Sequence, residues 1–174
     1  MKTVDKYLFQ ALDNYPYSLE ETIESLDYTL SYDDKNTMAL CLYGRVQAEQ
    51  LFKYEEAKAY FQQAISINIH AFEVYPFYIH TLLLNEDYEE AKKLIDFALT
   101  IKGINKAEIL IRKSMLFESR QKFKKALKVL KETRLTVLNS EFNYIIDESE
   151  KRLKEKRGKE TKGKNLDKKK KKKK

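Results

Sequence analysis

The chain has 174 residues, of which 43% are hydrophobic, so it fits one folded domain and is not a wholly disordered protein. Only four glycines and two prolines are available for turns, which excludes a hairpin-rich protein and predicts an all-α fold with short connections. The formal net charge of +7 divides unevenly, because residues 158–174 carry +8 and residues 1–157 sum to −1. The basic character therefore describes a terminal segment, and the rest of the chain has no overall basic bias.

The cysteine content and the apolar runs indicate a cytoplasmic protein. Cys41 is the single cysteine and has no partner for an internal disulfide. Residues 1–14 contain charges and no apolar core of secretory length. The densest apolar run, residues 76–84, is shorter than the roughly 18 residues of a membrane helix. We therefore expect no transmembrane segment.

Helical spacing of apolar residues predicts helices along the chain in order. The first spans residues 2–13 and ends before Pro16, since the residue preceding proline disfavours the helical conformation. Ser18 is expected to cap the second helix, with Glu21 three residues later completing a capping box. Six further helices are predicted at residues 36–51, 54–67, 71–84, 88–101, 105–119 and 123–137. Gly103 is expected just past a helix C-terminus.

The end of the chain is predicted to contain a capping helix and a tail. Residues 140–157 have a narrow apolar stripe and charges elsewhere, which suits the polar outer face of a terminal element. From Gly158 onward the composition is rich in lysine, with Leu166 as the one apolar residue. We therefore predict a folded domain at residues 1–157 and a disordered lysine-rich tail at residues 158–174.

One pattern recurs in the second helix of successive pairs. An aromatic residue is followed by a small residue, then by a large apolar residue and a second small one. The three matching sets are Tyr54, Ala57, Phe61 and Ala64; Tyr88, Ala91, Ile95 and Ala98; and Phe123, Ala126, Leu130 and Thr133. Positions four and three residues apart share one helix face, so the small residues let a partner helix approach while the large residue fills the space between. Thr22, Leu26 and Thr29 follow the pattern less closely.

The 34-residue period resembles the tetratricopeptide repeat (TPR), a helix-turn-helix unit. The resemblance covers residues 3 to about 137 and is most specific at 54–57 and 87–91. It implies a right-handed α-α superhelix of about four helix pairs plus a C-terminal capping helix. The chain resembles small free-standing bacterial TPR proteins, and residues 39–72 are more weakly similar to TPR scaffold subunits of the anaphase-promoting complex.

The spacing within the second pair differs from the usual repeat. Gly44 lies 13 residues before Ala57, whereas about 12 is normal for the repeat it resembles. We therefore expect one extra residue in the third helix or in the turn that follows it.

The resemblance also implies where a partner would bind, because the first helix of each TPR pair lines a concave groove. The candidate groove residues are Tyr7, Ala11, Cys41, Arg45, His80, Ile111 and Met115. Some TPR proteins clamp a peptide carboxylate with Lys and Asn from successive first helices, and the corresponding positions here do not match that clamp. Two alternatives remain open: Tyr7, Tyr43, Tyr75 and Tyr78 are packing residues, and Arg45 is a solvated or locally paired charge.

No catalytic, metal or cofactor site is expected. His70 and His80 lack metal-ligand spacing, and no glycine-rich phosphate loop occurs. The paired glutamates at 55–56 and 89–90 lie at predicted helix N-termini, where they favourably meet the helix dipole. We therefore do not expect an enzyme.

The leading functional interpretation is a non-catalytic scaffold or adaptor that binds a peptide or protein segment in the groove. The alternative is a nucleic-acid or ribosome-associated protein that uses the basic tail, whose lysines are Lys168, Lys169, Lys170, Lys171, Lys172, Lys173 and Lys174. Without stacking aromatics such contact with nucleic acid or an anionic surface is unspecific, and a purely solubilising role is equally open. A further hypothesis is self-association through Leu8, Leu12, Phe142 and Ile146 at the ends of the stack.

Overall fold

The computed structural model describes residues 3–137 and 140–171, with side chains at 6–137 and 140–159. Within these ranges the secondary structure is helical and contains no strand, which confirms the predicted all-α fold. The helices are α1 (Thr3–Asn14), α2 (Leu19–Tyr32), α3 (Thr37–Arg45), α4 (Tyr54–Ile67), α5 (Val74–Leu84), α6 (Tyr88–Ala98), α7 (Lys106–Ser119), α8 (Phe123–Thr136) and α9 (Asn143–Lys171). The chain divides into two compact units, Met1–Ile104 and Asn105–Lys174.

The first unit contains α1–α6 as three helix pairs, and the recurring small and large residues form their core. In α4 the side chains of Ala57, Phe61 and Ala64 are fully buried. The equivalent residues of α2 and α6 are also at 0% exposure: Thr22, Leu26, Thr29, Ala91, Ile95 and Ala98. The repeated pattern therefore marks the helix face that packs against the neighbouring helices, as predicted.

The extra residue expected in the second pair is accommodated by a π-helical turn at Val46–Gln50, directly after α3. The Leu51 backbone N–H donates to the carbonyl of Val46 at 3.1 Å, five residues back, as in a π-turn. The sequence prediction of an insertion in the third helix or its turn is confirmed.

Three pairs share a turn that the sequence does not reveal. Phe52, Glu86 and Gln121 have φ values of 55°, 61° and 56°, and each lies two residues before a second helix begins. None of them is glycine, although this left-handed region favours glycine. The left-handed residues are 34 and 35 positions apart, so the backbone repeats with the same period as the side chains.

The helix caps agree with the sequence in part. Asn36 and Asn105 accept hydrogen bonds from the backbone N–H groups of Ala39 and Glu108 at 3.0 and 3.4 Å. The predicted capping role of Ser18 is wrong, because its side chain makes no capping hydrogen bond; its carbonyl instead accepts the Thr22 hydroxyl at 2.6 Å. Gly103 has a φ of 95°, in the left-handed region that favours glycine, but its predicted place just past a helix C-terminus is wrong, because α6 ends at Ala98.

The second unit contains α7, α8 and α9. Ile146 and Leu153 of α9 are fully buried in a cluster with Ala126, Leu127 and Leu130 of α8. Helix α9 continues past Gly158 to Lys171, where composition predicted disorder; lysine and glutamate are good helix formers, which favours this conformation even without buried apolar residues. The division into a domain at 1–157 and a separate tail at 158–174 stays a prediction.

The residues predicted to mediate self-association lie in or beside the apolar clusters of their own units. Leu8 is 8% exposed, and Leu12 packs against the same apolar cluster. Ile146 is fully buried, with Phe142 packed beside it. Leu12 and Phe142 are only partly buried, and self-association through these four residues stays a prediction.

Candidate partner-binding site

The first helices α1, α3 and α5 lie side by side in the first unit, since α3 contacts both of the others. We call the exposed surface along these helices the first-helix surface. Among the candidate groove residues on it, Tyr7, Arg45 and His80 are partly exposed. Ala11 and Cys41 are only 0% and 4% exposed, so their side chains contribute to packing.

Arg45 is the centre of an interaction that joins all three pairs of the first unit. Its guanidinium lies over the Phe77 ring of α5 at 4.1 Å and over the Tyr15 ring, between α1 and α2, at 4.6 Å. Glu49, one helical turn later, accepts hydrogen bonds from its Nε and Nη2 atoms at 3.3 and 3.4 Å. The arrangement combines two cation–π contacts with an ion pair, so Arg45 is a locally paired charge with a quarter of its side chain exposed.

Tyr15 completes this cluster by donating its hydroxyl hydrogen bond to Glu49. Burial and the hydrogen bond to Glu49 raise the pKa of Tyr15 to about 12. The phenol therefore stays protonated at neutral pH and orients the carboxylate that holds Arg45. Sequence reasoning identified Arg45 but missed Tyr15, Glu49 and Phe77; the spacing of Arg45 and Glu49 on one helix face was the available signal.

The pH dependence of stability should report the Tyr15 contact. Because its folded-state pKa is raised, its contribution is fully present below the unfolded value of about 10 and is lost as pH rises towards 12. We expect Tyr15→Phe to lower the free energy of unfolding by about 1 kcal/mol at pH 8 and by less at pH 11. Urea denaturation at the two pH values measures this. The fully solvated Tyr17, 92% exposed, gives the control Tyr17→Phe; equal effects of the two substitutions would contradict the assignment.

Tyr7 belongs to a stack of tyrosines at the start of the chain. Its ring lies 5.0 Å from that of Tyr28 and 6.4 Å from that of Tyr32, both in α2. Tyr28 and Tyr32 are 46% and 63% exposed. This edge of the first unit therefore presents aromatic surface that a partner can reach.

The Cys41 thiol is suited to packing and not to nucleophilic chemistry. Its sulfur lies 4.0 Å from the carbonyl of Glu73. Burial raises the pKa of the Cys41 thiol to about 12, and the nearby Glu73 carboxylate acts in the same direction. The thiol is therefore protonated at neutral pH and a poor nucleophile.

The packing alternative for the tyrosines holds for two of them. Tyr75 is fully buried and donates its hydroxyl to the carbonyl of Ile69 at 2.8 Å. Tyr78 is 7% exposed and accepts a hydrogen bond from Gln62 at 2.8 Å. Tyr43 is half-buried and donates to Asp27 at 3.1 Å.

The two remaining groove candidates lie in the second unit, on α7. Ile111 is 7% exposed and packs in the interior, whereas Met115 is partly exposed. The Arg112 guanidinium lies 3.6 Å from the Met115 sulfur. Of the two candidates Ile111 and Met115, only Met115 is exposed enough for a partner to contact.

A cleft of about 710 Å³ lies along α2, and none of the predicted groove residues lines it, although its lining residue Tyr28 stacks on Tyr7. It is lined by Glu20, Ile23, Glu24, Asp27, Tyr28 and Ser31. Sequence reasoning missed this cleft, although residues 19–32 contain four carboxylates and no lysine or arginine.

The side chains of the predicted polyanion-binding tail, Lys168–Lys174, lie outside the described part of the chain. For Lys172–Lys174 the backbone lies outside it as well. Among the residues that are described, no group of three or more His, Cys, Asp or Glu could hold a metal ion. No helix in the described part of the chain is long and apolar enough to cross a membrane.

Comparison with known proteins agrees with the repeat architecture. The profile of the tetratricopeptide repeat family matches residues 39–68, which span α3, the π-turn and α4. A solved structure titled MamA RS-1 ArsTM double mutant has a TM-score of 0.63 at 12% identity, covering 92% of this chain and 97% of that chain. A crystal structure of MamA has a TM-score of 0.60 at 16% identity, covering 93% and 98%.

No curated protein matches the chain. At 12% and 16% identity the two solved structures establish a shared fold. The weaker similarity to the anaphase-promoting complex stays a prediction. The profile match and the shared fold agree with the resemblance drawn from the sequence: residues 39–68 match the tetratricopeptide repeat, and the chain shares the all-α fold of the two solved structures.

Proposed function

We propose that this chain is a non-catalytic scaffold whose first-helix surface binds a peptide or protein segment. The observation that supports this most is the cluster of Tyr15, Arg45 and Phe77, which places a partly exposed cation between aromatic rings on that surface. Arginine and aromatic side chains are enriched at protein interfaces, and a rigidly held arginine loses little freedom on binding.

The chemistry of this surface favours a partner with hydrogen-bond acceptors. The Arg45 guanidinium uses two of its N–H groups on Glu49, which leaves further donors for a partner's carbonyl or carboxylate oxygen. Tyr7 and the exposed rings of Tyr28 and Tyr32, which stack on it, offer apolar contact in the same unit. We propose the cytoplasm as the location, in keeping with the unpaired Cys41.

Site-specific photocrosslinking tests the proposed surface. A photoreactive phenylalanine analogue placed at Tyr7 or at His80 should crosslink a defined partner in extracts of the native cell. The same analogue at Tyr17 or at Lys93, both exposed and outside the first-helix surface, is the control. Equal crosslinking from all four positions, or crosslinking from the control positions alone, would contradict the assignment.

A double substitution tests the contribution of the named side chains. With the crosslinker at His80, we expect Tyr7→Ala with Arg45→Glu to abolish recovery of the partner, because the variant removes a ring and reverses a charge on that surface. The matched control Tyr17→Ala with Lys93→Glu makes the same kinds of change elsewhere. Circular dichroism must show both variants folded, and an unchanged yield from the folded first variant would refute the role of Tyr7 and Arg45.

A further inference from the structure

The two units carry opposite charge, which the sum over residues 1–157 conceals. Residues 1–104 contain nine Lys and Arg against seventeen Asp and Glu, a net charge of −8. Residues 105–174 contain 25 Lys and Arg against ten Asp and Glu, a net charge of +15. Residues 105–157 alone still carry +7. Each copy of the chain therefore offers an acidic and a basic surface to other copies.

One face of α2 carries a row of three carboxylates. Glu20, Glu24 and Asp27 recur at intervals of four and three residues, are exposed, and line the cleft of about 710 Å³. In the described part of the chain no lysine or arginine pairs with them, and Asp27 accepts only the Tyr43 hydroxyl. Ile23 and Tyr28 border this row, so the face combines carboxylates with apolar surface.

A row of lysines occupies one face of α8. Lys124, Lys128 and Lys131 recur at the same intervals of four and three residues and are exposed. No carboxylate among the described side chains pairs with them, in contrast to Arg134 on the same helix, which binds Asp147 at 2.6 Å. Leu135 continues the row and is 88% exposed. The face is therefore cationic, with an apolar residue at its end.

We propose that the α2 face of one copy binds the α8 face of a second copy. The two rows match residue for residue, because the numbers of Glu20, Glu24 and Asp27 differ from those of Lys124, Lys128 and Lys131 by a constant 104. Each row extends about 10 Å along its helix at 1.5 Å per residue. Parallel helices bring all three pairs into register, and the exposed Leu135 then lies next to Ser31 at the end of the cleft.

The symmetry of this contact determines the kind of assembly. The two faces lie on different helices, so the contact is heterologous, and in a pair of copies one copy keeps an unused acidic face and the other an unused basic face. The contact therefore joins copies head to tail, into a closed ring or an open chain according to the rotation between successive copies. Because exposed ion pairs are individually weak and screened by salt, the assembly forms reversibly and depends on ionic strength.

Sedimentation velocity on the full chain tests this proposal. The weight-average sedimentation coefficient of the wild type should rise with protein concentration at an ionic strength of about 0.01 M and stay constant at about 1 M, where the Debye length is about 3 Å. A wild type that remains monomeric at low salt over the whole concentration range overturns the proposal.

Charge reversal on each face identifies the contacting surfaces. We expect Glu20→Lys with Glu24→Lys, and separately Lys124→Glu with Lys128→Glu, to weaken association at low salt by about tenfold or more. An equimolar mixture of the two variants should associate again, because the reversed α2 face of one variant is complementary to the reversed α8 face of the other. A chain that carries all four substitutions should also recover self-association.

A matched control keeps the charge change and moves it off the face. Glu21→Lys with Glu56→Lys alters two exposed carboxylates outside the proposed row and should leave association within twofold of the wild type. If only the α2 reversal weakens association, the occupant of the α2 face is another basic segment, such as Lys168–Lys174, and the proposal is wrong. Failure of the mixed variants to associate also overturns it.

Discussion

Replacement of Phe61 by alanine is expected to lower the free energy of unfolding by about 3–5 kcal/mol. Phe61 is fully buried at the centre of the recurring face of α4, and its ring stacks on that of Tyr78 at 5.6 Å. Removing the ring forfeits its burial and leaves a cavity that neighbouring helices cannot fill without moving. The loss should appear as a lower denaturation midpoint in urea.

The control for this substitution is Phe9→Ala. Phe9 lies on α1 and is 54% exposed, so removing its ring should change stability by about 0.5 kcal/mol or less. A similar loss for both variants would mean that burial within the repeat face does not determine the cost. The comparison therefore tests the packing assignment and not merely the removal of an aromatic ring.

The fold was predictable because the information lies in local spacing. Small residues such as Ala57 and Ala64 on either side of Phe61 fix which face packs, and the same face recurs one period later. The π-turn after α3 was also predictable, as a count of residues between Gly44 and Ala57. Neither inference requires knowing which distant side chains meet.

The structural features that could not be predicted from the sequence depend on tertiary contacts. Arg45 has two aromatic partners, Tyr15 and Phe77, which belong to different helix pairs. No local sequence pattern therefore links the three residues. The candidates Ala11 and Cys41 were placed from repeat positions, yet each packs inside the unit. The position of a residue in a repeat predicts which helix lies at a surface. Whether its side chain is exposed there depends on the packing of the neighbouring helices.

The left-handed turns could not be predicted from the sequence, for a different reason. Phe52, Glu86 and Gln121 adopt positive φ without being glycine, so the usual residue signal for such a turn is missing. The hydrogen bonds that close the preceding helices stabilise this conformation; for example, the Asp87 N–H donates to the Leu82 carbonyl at 2.8 Å. Only the regular spacing of the second helices indicates that the three turns are alike.

Replacement of Gly44 by alanine is expected to destabilise the protein even though alanine is the better helix former. A Cβ at this position would lie 2.7 Å from Cε1 of Phe61, and two further ring carbons would be 2.9 Å away. The ring is fully buried and cannot move aside freely. Overpacking of this kind costs about 1–3 kcal/mol, which exceeds the gain of about 0.5–1 kcal/mol from helix propensity.

A rescue substitution and a matched glycine identify the cause of that loss. Phe61→Leu removes the ring atoms that clash, so in its background Gly44→Ala should cost less than in the wild type, and a double-mutant cycle measures the difference. Gly158→Ala is the control, because its added Cβ meets no atom within 4 Å beyond its chain neighbours and its own helix backbone, so only the helix propensity changes. If Gly44→Ala and Gly158→Ala changed the free energy of unfolding equally, or if Phe61→Leu gave no rescue, the explanation would be wrong. Glycine at position 44 would then not be required by the close approach of α3 to the Phe61 ring.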